Sequence, residues 1–185
     1  KTYIMKQNFE YRKAALDLLK GNWADVIVIS IFIFILEAIA QSTFFFVIPK
    51  EYNGFATLAM NIILFFPLVY TLKILLLALS RTGKKVEIGT YLATFKTKYS
   101  RAVPVMGLMC VYVILWTFLL IIPGIIKGYS YAMAPYISID NEDLSPEECI
   151  QKSMQMMEGH KMQLFLLDLS FIGWAFLCIL TLGIG

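Results

Sequence analysis

The chain has a single histidine, His160, and only three cysteines, Cys110, Cys149 and Cys178. One histidine gives a histidine-based metal site or a Ser/His catalytic arrangement little to build on. The cysteines form no CxxC pair and two of them lie in apolar runs, which argues against both a zinc site and a disulfide framework. Charge is scarce as well, with 16% Asp, Glu, Lys and Arg against about 25% in an ordinary soluble domain. The net charge of +3 is too small to argue for nucleic acid. No cleavable signal sequence is evident, because the first long apolar run begins near Val26, exceeds an h-region in length and lacks a small-residue cleavage site.

What is abundant is hydrocarbon. The chain is 59% hydrophobic with a mean hydropathy of +0.71, and its apolar residues fall in runs such as Val26–Ile48, Phe55–Leu79 and Leu164–Gly185. A helix of roughly 20 apolar residues crosses a bilayer core of about 30 Å. The composition therefore predicts an all-α polytopic transmembrane bundle in one membrane domain, residues 1–185, with no room for a separate soluble catalytic domain. Spans are expected at about 24–48, 55–79, 103–122, 125–139 and 162–185. The segment 125–139 is read as a short fourth span, with a re-entrant or surface segment as the alternative. The chain starts without Met and stops inside an apolar run, so it reads as part of a longer, six-span protein.

Between the spans, three stretches have helical amphipathic spacing. In 9–20, Tyr11, Ala15, Leu18 and Leu19 fall opposite Glu10, Lys13, Asp17 and Lys20. In 86–100, Ile88, Tyr91, Leu92, Phe95 and Tyr99 share a side. In 146–158, Cys149, Ile150, Ser153, Met154, Met156 and Met157 share an arc of roughly 160°. Ser145-Pro146-Glu147-Glu148 supplies an N-cap serine, a proline at N1 and a capping-box glutamate for this last helix. Each stretch leads through a short joint (Gly21-Asn22, Ser100-Arg101, Gly159-His160) into a span, which suggests a threefold repeat of surface helix plus hairpin. Pro67 is expected to kink span two, and Pro123-Gly124 to break the chain after span three.

Orientation follows from lysine and arginine. Lys1, Lys6, Arg12, Lys13 and Lys20 precede the first span, and Arg81, Lys84, Lys85, Lys96, Lys98 and Arg101 crowd the stretch 81–101. The 49–54 link has only Lys50. The amino terminus and the 81–101 stretch are therefore expected in the cytoplasm, and the repeat places 140–161 there too.

The run from Ile121 to Tyr136 (IIPGIIKGYSYAMAPY), the motif Asp143–Glu148 with Ser153-Met154 and Met157–Lys161, and Leu19–Trp23 resemble the bacterial integral membrane family called domain of unknown function 975. More loosely, the chain is similar to the membrane domain attached to some glycerophosphodiester phosphodiesterases. The resemblance implies a six-span protein of the bacterial inner membrane. It carries over no catalytic residue.

Glu37, Lys73 and Asp168 are ionisable residues inside the apolar runs. A charge near the bilayer centre costs about 2.5–3.5 kcal/mol on insertion scales, so such residues face a partner or a wet cavity. A Lys73–Asp168 pair joining spans two and five is the expected arrangement. Glu37, with Gln41 one turn on, is a candidate proton or cation site or a neutral interhelical acid, and Asn61 an interhelical contact. Lys84, Lys85, Lys96, Lys98 and Arg101 are candidate contacts for anionic headgroups. Tyr129, Tyr131 and Tyr136 line a cavity or form an interfacial belt. The expected partners are membrane lipids, with a second copy of the chain or another membrane protein left open. No cofactor is implied. Two functional classes follow: a protein that interacts with or organises membrane lipids, and a transporter or efflux component for a lipid or amphiphile. With no nucleophile, metal set or paired-carboxylate motif, a membrane enzyme is the remote third.

Overall fold

The structure is a computed structural model that describes residues 8–47, 49–83 and 85–180, and among these there is no strand. Asn8–Leu19 forms α1 and Trp23–Val47 forms α2. The joint between them turns at Gly21, whose φ of 84° lies in the left-handed region that glycine adopts without penalty. After a short 3-10 turn at Lys50–Tyr52, the chain returns through α3 (Asn53–Met60), a π-turn at Asn61–Phe65 and α4 (Phe66–Thr82). Then come α5 (Ile88–Leu119), α6 (Ile121–Tyr131), α7 (Ala134–Asp140), α8 (Pro146–Met156) and α9 (Lys161–Leu180).

Three stretches, Trp23–Thr43, Gly54–Thr82 and Ile88–Leu119, are long and apolar enough to cross a membrane. Their large side chains are not hidden by the protein: Phe34 is 71% exposed and Phe118 86%. An apolar surface of that extent is stable only against hydrocarbon or a partner.

Pro67 explains the π-turn and how it is stabilised. Proline has no N–H, so the carbonyl of Ile63, four residues earlier, loses its helical donor. The Tyr99 hydroxyl of α5 donates to that carbonyl at 2.8 Å. One turn along, Tyr91, fully buried, donates to the Leu68 carbonyl at 3.0 Å. These phenols fasten α5 to the kinked helix. Around Tyr91 lies the first core, with Ile29, Ile33, Leu68, Leu75, Leu79 and Val86, and Leu18 and Leu19 at the end of α1 pack against it.

Three expectations are corrected here. The surface helix 86–100 and the span 103–122 are one 32-residue helix, α5, with no joint at Ser100-Arg101. Pro104 sits inside it, and removes one backbone hydrogen bond without ending the helix because Ala102 and Val105 on either side are fully buried in packing. The Pro123-Gly124 breaker does not break: the chain turns earlier, at extended Leu120, and Pro123 falls in the first turn of α6, where a missing N–H has no cost. The break in the segment 125–139 comes instead at Ala132-Met133, between α6 and α7.

That second break is held from outside. Ser153 of α8, fully buried, accepts the Met133 N–H at 3.1 Å and donates to the Ser130 carbonyl at 2.7 Å. Its helix begins at the full capping box of Ser145 and Glu148. The second core, Tyr131, Ala134, Ile137, Cys149 and Ile150, fills the contact of α8 with α6 and α7, and Leu108 and Tyr112 of α5 pack on it. The methionine face of α8 is thus divided: Met157 is buried, whereas Met156 is exposed.

Candidate functional site

Small residues bring α6 close to its neighbours. Gly124, Gly128 and Ala132 recur every fourth position, hence along one face of α6. A Cβ placed on Gly124 would lie 2.8 Å from the Thr117 Cα, nearer still to the Thr117 hydroxyl, so no side chain fits there. Gly128 has nothing within 4 Å of the same position. The space left open at Gly128 belongs to a cavity of about 400 Å³ between α5, α6 and α9, lined among others by Thr117, Gly124, Gly128, Tyr129 and Asp168. A second cavity of about 280 Å³ adjoins it along Ile125 and Tyr129. Its remaining walls are Ile122, Ile126, Met162 and Phe165, with Lys161 at its end.

Together they form a trough between α6 and α9 with largely apolar walls, one carboxylate, Asp168, and one ammonium, Lys161. Asp168 is exposed, and its carboxylate interacts with the Tyr129 hydroxyl. The Tyr129 and Phe165 rings pack in a T-shaped pair with centroids 5.8 Å apart, and Tyr129 lines both cavities.

The expected Lys73–Asp168 pair is not formed in this structure. The Lys73 ammonium lies 5.4 Å from the centroid of the Tyr136 ring, and among the described residues no ion pair joins it to Asp168. Lys127, which the sequence reading did not single out, is held in the same manner, 4.7 Å from the centroid of the Trp116 ring with the Met154 sulfur 3.9 Å away. The face of an aromatic ring is an electrostatic partner for a cation that needs no carboxylate. Glu37 and Gln41 are half-buried on α2, and neither lines the trough. Asn61 donates to the Thr57 carbonyl of its own helix turn, not across to another helix. Of the three tyrosines, only Tyr129 lines the trough. Tyr131 is buried against Tyr112, and Tyr136 lies under Lys73.

The basic cluster is also partly engaged within the chain. Arg81 grips Asp140 with both guanidinium nitrogens, and Lys98 pairs with Glu142. Arg101 donates to the Asn141 carbonyl at 2.9 Å and approaches the Cys149 sulfur at 3.7 Å. These bonds hold the acidic loop 140–142 against the end of α4 and the amino-terminal half of α5. The same contacts keep the Asp140 and Glu142 carboxyls below the usual carboxylate range, through the hydrogen bond from the basic partner first and its charge second. Lys85 and Lys96 remain exposed, and Lys84 lies outside the described residues.

The trough was half legible in sequence. Asp168 stood out as a charge in an apolar run, and the Gly124, Gly128, Ala132 spacing was there to be read. Nothing in the sequence, however, shows that α9 crosses this particular face.

No curated protein and no solved structure is significantly similar to the chain, and the looser likeness to the membrane domain of glycerophosphodiester phosphodiesterases is not shown. Residues 98–185 match the family described as "Protein of unknown function (DUF975)". The resemblance carried by the Ile121–Tyr136 run and the Ser145 cap therefore holds, and the residues that build the α6/α9 trough lie within the matched stretch.

Proposed function

We propose that this protein engages and organises membrane lipids, as a multi-pass protein of the bacterial cytoplasmic membrane with its amino terminus in the cytoplasm. The observation that carries the reading is the trough between α6 and α9: a groove walled by Ile122, Ile125, Ile126, Met162 and Phe165 accepts an acyl chain. Its polar end supplies a carboxylate, a phenol and the Thr117 hydroxyl for a headgroup. The basic residues before α2 and the exposed Lys85 and Lys96 support the orientation through their attraction to anionic headgroups of the cytoplasmic leaflet.

The carboxylate beside the cavity favours a second reading, transport of a lipid or amphiphile, because intramembrane ionisable groups mark many substrate and proton paths. Reconstitution into liposomes separates the two. Pyrene-labelled phospholipid reports clustering, and a dithionite-quenched fluorescent lipid reports movement between leaflets. The organising role predicts a changed excimer ratio with no added movement, and Gly128→Leu, which fills the trough, returns the ratio to that of protein-free vesicles. Lipid movement abolished by Glu37→Gln or Asp168→Asn establishes transport instead. An excimer ratio unaffected by the protein overturns the organising role.

A further inference from the structure

Among the described residues no cation pairs with Asp168, whose carboxylate meets the Tyr129 hydroxyl. The two lysines set among the apolar helices, Lys73 and Lys127, are turned onto the rings of Tyr136 and Trp116. The cavity that Asp168 lines holds two other polar groups, the Tyr129 and Thr117 hydroxyls, and is otherwise apolar or small, with Val113, Gly128 and Leu164 among its walls. A carboxylate in this setting is costly unless a cation meets it, and the cost is the driving force for recruiting one. The cation must also fit what adjoins the carboxylate. Apart from Lys161, one charged residue seven positions before Asp168 on α9, the neighbouring cavity is walled by hydrocarbon and the Tyr129 ring, so an inorganic ion uses little of it, whereas an alkyl chain attached to the cation fills it.

From this juxtaposition we infer that the α6/α9 trough binds a cationic amphiphile, an alkyl ammonium whose headgroup sits on Asp168 and Tyr129 and whose chain lies along Ile122, Ile126 and Phe165. The inference rests on the lipid-engaging reading above and assigns a ligand class to that same site. Net protein charge works against such a preference, because a chain of net charge +3 attracts anionic amphiphiles on average. Selectivity for the cation therefore has to come from a local acid, and Asp168 is the acid that lines the trough.

The test uses the whole chain in phosphatidylcholine vesicles, with nitroxide-labelled octadecylamine or nitroxide-labelled octadecanoic acid added at a pH where the first is protonated and the second ionised. The fraction of motionally restricted label gives the relative association of each. Wild-type protein is expected to hold the amine over the acid by about fivefold, the factor that one charge contact is worth near a membrane surface. Asp168→Asn is expected to bring the amine down to the level of the acid and to leave the acid unchanged, and Asp168→Lys to reverse the preference. Gly128→Leu is expected to lower both probes. Equal restriction of the two probes in the wild type overturns the inference, as does a preference for the amine that persists in Asp168→Asn. If Gly128→Leu still lowers both probes when their restriction is equal, the lipid-engaging reading stands and only the charge selectivity fails.

Discussion

Ser153 donates its hydroxyl proton to the carbonyl of Ser130 at 2.7 Å, and the same oxygen accepts the N–H of Met133 at 3.1 Å. A serine of one helix thereby completes the backbone hydrogen bonding of two others at the point where the chain breaks between α6 and α7. In hydrocarbon every backbone polar group needs a partner, and a broken helix is tolerated where a neighbouring side chain supplies it.

Ser153→Ala removes that partner while leaving the helix propensity of α8 intact. The expected loss is about 1–3 kcal/mol, the cost of leaving a buried polar group unsatisfied. Thermal unfolding in detergent, followed by circular dichroism, measures it. Ser80→Ala is the control, because exposed Ser80 bonds only the Leu77 carbonyl of its own helix. A Ser153→Ala protein that melts with Ser80→Ala and the wild type would show that the hydroxyl is not what joins α6 to α7.

The two glycines of α6 should respond in opposite ways to the same substitution. At Gly124 an added Cβ meets the Thr117 backbone at 2.8 Å, so Gly124→Ala forces α6 away from α5, at about 1–3 kcal/mol for such overpacking. Thr117→Ala does not rescue it, since the Cα that obstructs remains. Gly128→Ala meets only open space and is expected to melt at or above the wild-type temperature. Rescue of Gly124→Ala by Thr117→Ala would place the obstruction in the side chain and not in the backbone approach.

These two sites show what the sequence disclosed and where it stopped. Long apolar runs gave the helical membrane class, since only helices or closed barrels satisfy a backbone in lipid. The Ser145-Pro146-Glu147-Glu148 cap placed the start of α8, because capping is decided within four residues. Pro67 announced a kink, yet the phenol that relieves it stands 36 residues from the Ile63 carbonyl it serves. Ser100-Arg101 suggested a joint that the continuous α5 does not have, and Pro123 a break that its first-turn placement in α6 cancels. Lys73 and Asp168 were paired in expectation because opposite charges at similar depths attract. The structure satisfies the lysine with a ring instead, and no charge pattern encodes an aromatic face.

Tyr99 and Pro67 should be coupled through the Ile63 carbonyl. Tyr99→Phe keeps the ring contact with Phe95 but withdraws the proton from that carbonyl, for an expected loss of about 1 kcal/mol. Pro67→Ala restores a backbone N–H four residues after Ile63, so that in this background the Tyr99 hydroxyl has nothing left to repair. A double-mutant cycle on unfolding free energies should therefore give a coupling of about 0.5–1 kcal/mol. Additive effects would show that the carbonyl is satisfied by some other route.

The acidic loop gives the chain a defined sensitivity to pH and salt. Asp140 and Glu142 have their carboxyls depressed in the folded state by Arg81 and Lys98. Their contribution is therefore fully present above the carboxyl values of the unfolded chain, near pH 4, and is lost as pH falls through the lower folded values. At neutral pH the clamp is complete, and below about pH 4 it releases progressively. Both pairs are largely solvent-exposed, so screening weakens them as well. A spin label at position 143 should accordingly gain mobility on acidification and, to a smaller extent, at about 1 M salt at neutral pH. The double variant Asp140→Asn, Glu142→Gln should be mobile throughout and insensitive to acid. A label whose mobility follows acid equally in the wild type and the double variant would place the titrating group elsewhere, and the Arg81 and Lys98 pairs would not be what holds the loop.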